Sequence, residues 1–175
     1  MMFDIEQYFA AVDHERSRRG LTWAALTREL NAPFSHRPDI PPISASTLTG
    51  MRNRGGLNGN IVVHTLMWLG RTPEDFTPGH PVSGAPLPSL EPGCLPRWDG
   101  EALYAAVDAK RAELGLTWAG AARDIGVFEH DGRTYPLYTP AMLRTLRSIV
   151  GFPRAMDLLA WLHQAAATFV INVKV

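Results

Sequence analysis

One stretch of this chain is written twice. "GLTWAALTREL" at 20–30 returns as "GLTWAGAARDI" at 115–125. Aligning 8–30 with 103–125 gives eleven identities in twenty-three positions. They are Ala10/Ala105, Ala11/Ala106, Val12/Val107, Asp13/Asp108, Arg16/Arg111, Gly20/Gly115, Leu21/Leu116, Thr22/Thr117, Trp23/Trp118, Ala24/Ala119 and Arg28/Arg123. The same offset of 95 pairs "SASTLTGMR" (44–52) with "TPAMLRTLR" (139–147), and an offset of 93 pairs "HTLMWL" (64–69) with "DLLAWL" (157–162). A duplication of this length requires one supersecondary plan used twice, whatever the fold.

Between the copies runs "TPGHPVSGAPLPSLEPGCLPRW" (77–98), with six prolines and three glycines. That composition continues neither a helix nor a central strand and reads as a semi-extended linker. The expected organisation is therefore a first domain at 1–76, a linker at 77–98 and a second domain at 99–175. Each copy has roughly 75–80 residues, near the lower limit for a core without staples.

Within copy one, Ile5, Tyr8, Phe9 and Val12 recur at helical spacing, and Gly20 is a suitable stop. Thr22 has the chemistry to cap a second helix carrying Trp23, Leu26 and Leu30. Gly115, Thr117, Trp118, Ala121, Ala122 and Ile125 repeat the pattern. "APFSHRPDIPPI" (32–43) has four prolines and reads as a loop. Its counterpart "VFEHDGRTYPLY" (127–138) centres on Asp131-Gly132, a two-residue hairpin signal. Third helices start at Ser44 and at Thr139-Pro140, burying Leu48 and Met51 or Leu143 and Leu146. Longer helices close the copies around 59–70 and 153–167. "TFVINVKV" at the end reads as a lone strand, to be paired with the hairpin or with another chain. The fold class expected is mainly α, with four to five helices per copy, one small hairpin and a C-terminal strand.

Net charge is zero, with eight basic and eight acidic residues in 1–80 and nine of each in 81–175. A nucleic-acid binder usually carries a basic excess, so any attraction to phosphate must come from a local face. The six histidines, at 14, 36, 64, 80, 130 and 163, show no metal-ligand spacing, and no nucleophile or phosphate-loop motif occurs. "RNRGGLNGN" lacks the lysine and preceding strand of a P-loop. No enzyme, cofactor or metal site is expected. Asp13 and Asp108 stand three residues before Arg16 and Arg111, the spacing of a helical ion pair. Cys94 is the sole cysteine, which excludes an intrachain disulfide framework and leaves an incidental thiol, a reactive one or a cross-chain bond. The first residues lack the basic-then-apolar order of a secretory signal, and no apolar run approaches the ~20 residues of a membrane helix. A cytoplasmic location is expected.

The helix order and the residues that carry it resemble the lambda-repressor-like (XRE-type) helix-turn-helix family. "LTWAALTRELNA" and "LTWAGAARDIGV" are similar to that family's second helix, with Gly126 at the position of the turn glycine. "ISASTLTGMRNRG" and "YTPAMLRTLR" resemble its recognition helix. Two features depart from the pattern: about eleven extra residues separate the two helices in both copies, and tryptophan replaces the polar residue that often opens helix two.

The resemblance implies two tandem domains reading double-stranded DNA with the N-terminal face of each third helix in the major groove. The residues so implicated are Ser44, Ala45, Ser46, Thr49, Arg52, Asn53 and Arg54 in copy one, and Thr139, Ala141, Arg144, Thr145 and Arg147 in copy two. Gly50 and Pro140 lie on the same faces. Arg144 suits bidentate reading of guanine, and the hydroxyls suit either base contact or simple capping. Asn58 and Asn60 would hold phosphate or cap the fourth helix. His36 and Arg37 would touch a DNA backbone or stand free in a loop. Trp23, Trp68, Trp118 and Trp161 fall on apolar stripes and are expected in cores. The function implied is a bacterial-type transcriptional regulator. The alternative is a protein-interaction module that kept the scaffold and lost DNA binding, with self-association or a partner at the C-terminal strand.

Overall fold

The computed structural model describes residues 3–53, 57–148, 150–152 and 154–175. Both copies follow one plan. In copy one, α1 (Ile5–Arg18), α2 (Trp23–Asn31), α3 (Ala45–Thr49), a two-residue strand β1 (Leu57–Asn58) and α4 (Gly59–Leu69) are closed by a 3-10 turn at Pro73–Phe76. Copy two opens on a strand, β2 (Cys94–Trp98). It continues through α5 (Gly100–Glu113), α6 (Trp118–Ile125), a hairpin of β3 (Val127–His130) and β4 (Arg133–Pro136), and α7 (Pro140–Arg144). Then come β5 (Gly151–Phe152), α8 (Arg154–Leu162), a 3-10 turn at Ala166–Phe169 and β6 (Val170–Lys174). The mainly α reading holds, supplemented by three short antiparallel pairs among the described residues.

The helix starts follow from side-chain caps. Asp4, Thr22, Ser44 and Asn58 accept amide protons at the starts of α1 to α4. Asp99, Thr117 and Thr139 do so in copy two. Gly20 and Gly115 take φ of +68° and +63° just past the first helices, a conformation costly for any residue with a Cβ. Asp131 and Gly132 both have positive φ, as the tight hairpin turn demands. The buried stripes are the expected ones: Val12, Leu26, Leu30, Leu48 and Met51 against Val107, Ala122, Ile125, Leu143 and Leu146.

The recurring polar residues form one cassette, built twice. Arg16 pairs with Asp13 at 2.6 Å, donates to the Leu21 carbonyl, and lies over the Trp23 ring, which stacks on Phe9. Arg111 pairs with Asp108 at 2.6 Å, donates to the Leu116 carbonyl, and lies over Trp118, which stacks on Tyr104. A second contact ties α2 to α4: Trp68 Nε1 donates to Glu29 at 2.9 Å, and in copy two Trp161 Nε1 donates to Asp124 at 2.8 Å. All four tryptophans are thus partly buried clamps between helices.

Two sequence expectations need correction. The C-terminal strand does not pair with the hairpin: β6 runs antiparallel to β2, with Cys94 opposite Lys174 and Trp98 opposite Val170. The last five residues of the supposed linker are therefore a strand, in which Pro96 is tolerated because a two-stranded sheet has only edges. The reason lies in the repeat. Asp4 N–H donates to the Phe76 carbonyl in copy one, and Asp99 N–H donates to the Phe169 carbonyl in copy two. Each copy joins its start to its end, and copy two extends that closure into a sheet. Secondly, the third helices are one and a half turns each, five residues long, and copy one continues as a 3-10 turn (Gly50–Asn53). Two of the five residues of α3 are β-branched threonines, poor helix formers, and both short segments are held by their buried leucines.

The copies pack directly on each other. Leu57 of β1 lies opposite Phe152 of β5. These are equivalent positions in the repeat, so the antiparallel pair marks a local two-fold axis between the copies. Phe3 meets Phe152 edge-on at 5.1 Å, Trp98 N–H donates to Asn60 Oδ1 at 3.0 Å, and Ala166 N–H donates to buried Glu74 at 2.6 Å. One continuous apolar cluster runs through both copies.

Candidate functional site

The described members of each predicted set lie together, on α3 and the 3-10 turn after it in copy one and on α7 and the turn after it in copy two. Ser44 caps α3, accepting from Thr47 N–H at 3.1 Å, and its hydroxyl also bonds the Ser46 and Thr47 hydroxyls. Thr49 donates to the Ala45 carbonyl at 3.0 Å. Ala45 is half-buried, whereas Ser46, Thr49, Arg52 and Asn53 are exposed. Arg54 lies outside the described residues. In copy two, Thr139 caps α7 by accepting from Met142 N–H at 3.2 Å, and Thr145 donates back to the Met142 carbonyl. Ala141, Arg144 and Arg147 are exposed beside them.

The hydroxyls are thus occupied in local caps and turns, and the arginines carry most of the free hydrogen-bonding capacity. They are not equivalent. Arg147 lies 4.1 Å from the centre of the Tyr104 ring, with its Nε 3.4 Å from a Glu101 carboxylate oxygen. Arg52, its counterpart, borders a depression with Asp4, Glu6 and Asp13. Glu101 of α5 thus partly screens Arg147. Arg144 stands 6.0 Å from the Trp118 ring centre and has no carboxylate partner among the described residues. Arg37 is held by Asp39 at 2.6 Å, so the tip of the first excursion carries a closed ion pair. Asn58 caps α4, and Asn60 accepts from Trp98, so neither amide oxygen is open.

Arg28 and Arg123 stand out by elimination, although sequence reasoning left them among the identities without a role. Both are exposed near the ends of α2 and α6, and neither makes a hydrogen bond or ion pair among the described residues. Every other polar identity caps a helix or joins the cassette. The repeat itself held that signal.

The hairpin lies between α6 and α7. It presents Phe128 stacked on Tyr135 at 5.7 Å, with Val127 exposed at its base. Ile171 and Val173 are exposed on β6.

The second missed feature is a cavity of about 280 Å³ between copy one and β2. Ile40, Pro41, Pro42 and Ile43 form one wall, Asn60, Ile61 and His64 of α4 another, and Leu95 and Arg97 of β2 the third. Phe34, Thr47 and Asn58 complete it. His64 is only 4% exposed, and its Nε2 has no hydrogen-bond partner. Burial, reinforced by the Arg97 charge, pushes the imidazole down to about 4, so it is neutral at physiological pH. No local sequence pattern assembles this site, because the proline-rich composition of 77–98 reads as a linker and hides β2.

No cluster of three or more histidine, cysteine or carboxylate groups suited to a metal occurs among the described residues, and no helix there is long and apolar enough to cross a membrane. Compared with protein-family models, curated protein sequences and solved structures, the chain matches none.

Proposed function

We propose that this chain binds double-stranded DNA as a helix-turn-helix protein in which a single chain supplies both halves of a two-fold arrangement. The observation that carries this reading is the pairing of Leu57 with Phe152. Equivalent residues face each other across β1 and β5, and each strand follows a third-helix segment. Dimeric helix-turn-helix proteins present two recognition segments about such an axis and read two half-sites. Fusion achieves the same bivalency with an effective concentration set by the shared core.

The two segments differ in chemistry. Thr49 and Gly50 of copy one correspond to Arg144 and Thr145 of copy two. The half-sites are therefore unequal, with Arg144 the strongest candidate for a guanine edge. Arg28 and Arg123, identical and without an ion-pair partner among the described residues, suit phosphate contacts that position both copies alike. With zero net charge, affinity for DNA at large is modest and salt-sensitive.

The test is fluorescence anisotropy on random-sequence duplex DNA across a salt series. Wild type is compared with Arg144→Ala/Arg147→Ala and with Arg28→Ala/Arg123→Ala. Binding that weakens with salt is expected, with the log–log slope shallower by about 0.9 for each phosphate contact removed. A folded sample that does not bind at low salt overturns the reading. A protein partner then takes first place, a reading favoured specifically by the exposed Val127, Phe128, Tyr135, Ile171 and Val173.

A further inference from the structure

Arg97 poses an electrostatic problem. It is half-buried on β2, and desolvation lowers its pKa. Among the described residues its side chain makes one hydrogen bond, to the adjacent Pro96 carbonyl at 3.0 Å. No carboxylate pairs with it among the described residues, and no acid lines the cavity it borders. A guanidinium withdrawn from water without a counter-charge is destabilising, and an anion seated against it removes that penalty.

The rest of the cavity sets the shape and polarity of that anion. Phe34, Ile40, Ile43, Ile61 and Leu95 make the walls apolar. Neutral His64 adds a polar group with a buried nitrogen still lacking a partner. The volume is at the small end for ligand sites, and apolar walls with a few convergent polar groups are the usual composition of such sites.

We propose that this cavity binds a small organic carboxylate, its charged end on Arg97 and its apolar body against Ile40, Ile43, Ile61 and Leu95. The site also touches the third helix of copy one. Thr47 of α3 lines it, and Ile43 immediately precedes the cap Ser44. Asn31 grips Ile43 at both backbone groups, 2.9 Å to its N–H and 2.8 Å to its carbonyl. An occupant that fixes Ile40–Ile43 therefore fixes the entry to α3. Resting on the DNA-binding reading, this makes the carboxylate an effector of the copy-one half-site. Binding of the carboxylate itself does not depend on that reading.

The experiment needs no DNA. Amide and methyl NMR spectra of the full chain are titrated with sodium benzoate, 3-phenylpropanoate and hexanoate, using benzamide and matched sodium chloride as controls. At least one carboxylate is expected to shift resonances of Ile40, Ile61, His64, Leu95 and Arg97 with millimolar affinity, while benzamide does not. Arg97→Met should weaken that binding by about tenfold or more, the scale of a charge-assisted contact. No saturable shift at these residues with any of the three overturns the proposal. So does equal binding of benzamide, or undiminished binding by a folded Arg97→Met. Should that variant fail to fold, Ile61→Trp, which fills the cavity from the other wall, must abolish the wild-type shifts. If benzoate binds and DNA does not, the site stands and only its regulatory role falls.

Discussion

His64 sits on the second turn of α4 with Phe34 packed near its ring and Arg97 as the charged group facing it from β2. Its pKa is near 4 in the folded protein against about 6.5 in an unfolded chain. Between those values the unfolded state binds the proton and the folded state does not. The stabilisation is therefore complete above about pH 6.5 and is lost as pH falls toward 4, by up to about 3 kcal/mol. Urea unfolding of wild type and His64→Gln across that interval should show a steeper acid loss in wild type. Parallel curves would mean that His64 is accessible to protons in the fold. The cassette residues were readable without structure, since an acid and an arginine three apart on a helix suggest an ion pair. His64 was not, because nothing local to "VVHTL" announces that residues 95 and 97 lie against it.

At the scale of elements, the caps, the buried stripes and the Asp131-Gly132 turn all depend on neighbours within a few positions, and all were legible. The strand β2 was not. Proline content argued against it, and its partner lies more than seventy residues further along the chain. The length of the third helices was likewise hidden, because their short span is stabilised by burial of Leu48 and Leu143 and not by helix propensity. The start of α4 offers a test of the contact between copies. A Cβ on Gly59 would come within 2.7 Å of the Val150 carbonyl and 2.8 Å of Trp98 Nε1. Gly151, on the facing strand, has no such neighbour within 4 Å. Gly59→Ala should therefore cost about 1–3 kcal/mol by overpacking, with Gly151→Ala much nearer to neutral. Chemical denaturation of both variants decides it. Equal effects would place the close approach of β1, β2 and β5 in question.

The whole molecule behaves, in packing terms, as a dimer whose subunits share a chain. The duplication predicted two alike halves, yet it left open how they would meet, since the contact uses positions of low identity: Phe3, Leu57, Trp98 and Phe152. Each half alone would expose this apolar surface, and each is small enough for that loss to matter. The full chain should therefore unfold in a single transition. Phe152 is the residue on which this can be tested, since it belongs to copy two and touches Phe3 of copy one. Phe152→Ala should cost about 3–5 kcal/mol, the range for removing a buried aromatic ring. In a cooperative molecule that loss is felt equally by the most protected amides of α1 and α5. Native-state hydrogen exchange should show both helices losing protection together, although the substitution lies in only one copy. Independent domains would confine the loss to α5 and α8, and calorimetry would then resolve two transitions. Such a result would separate the copies energetically and leave the two-fold arrangement as geometry without coupling, removing the shared core as the reason one chain could grip two half-sites at once.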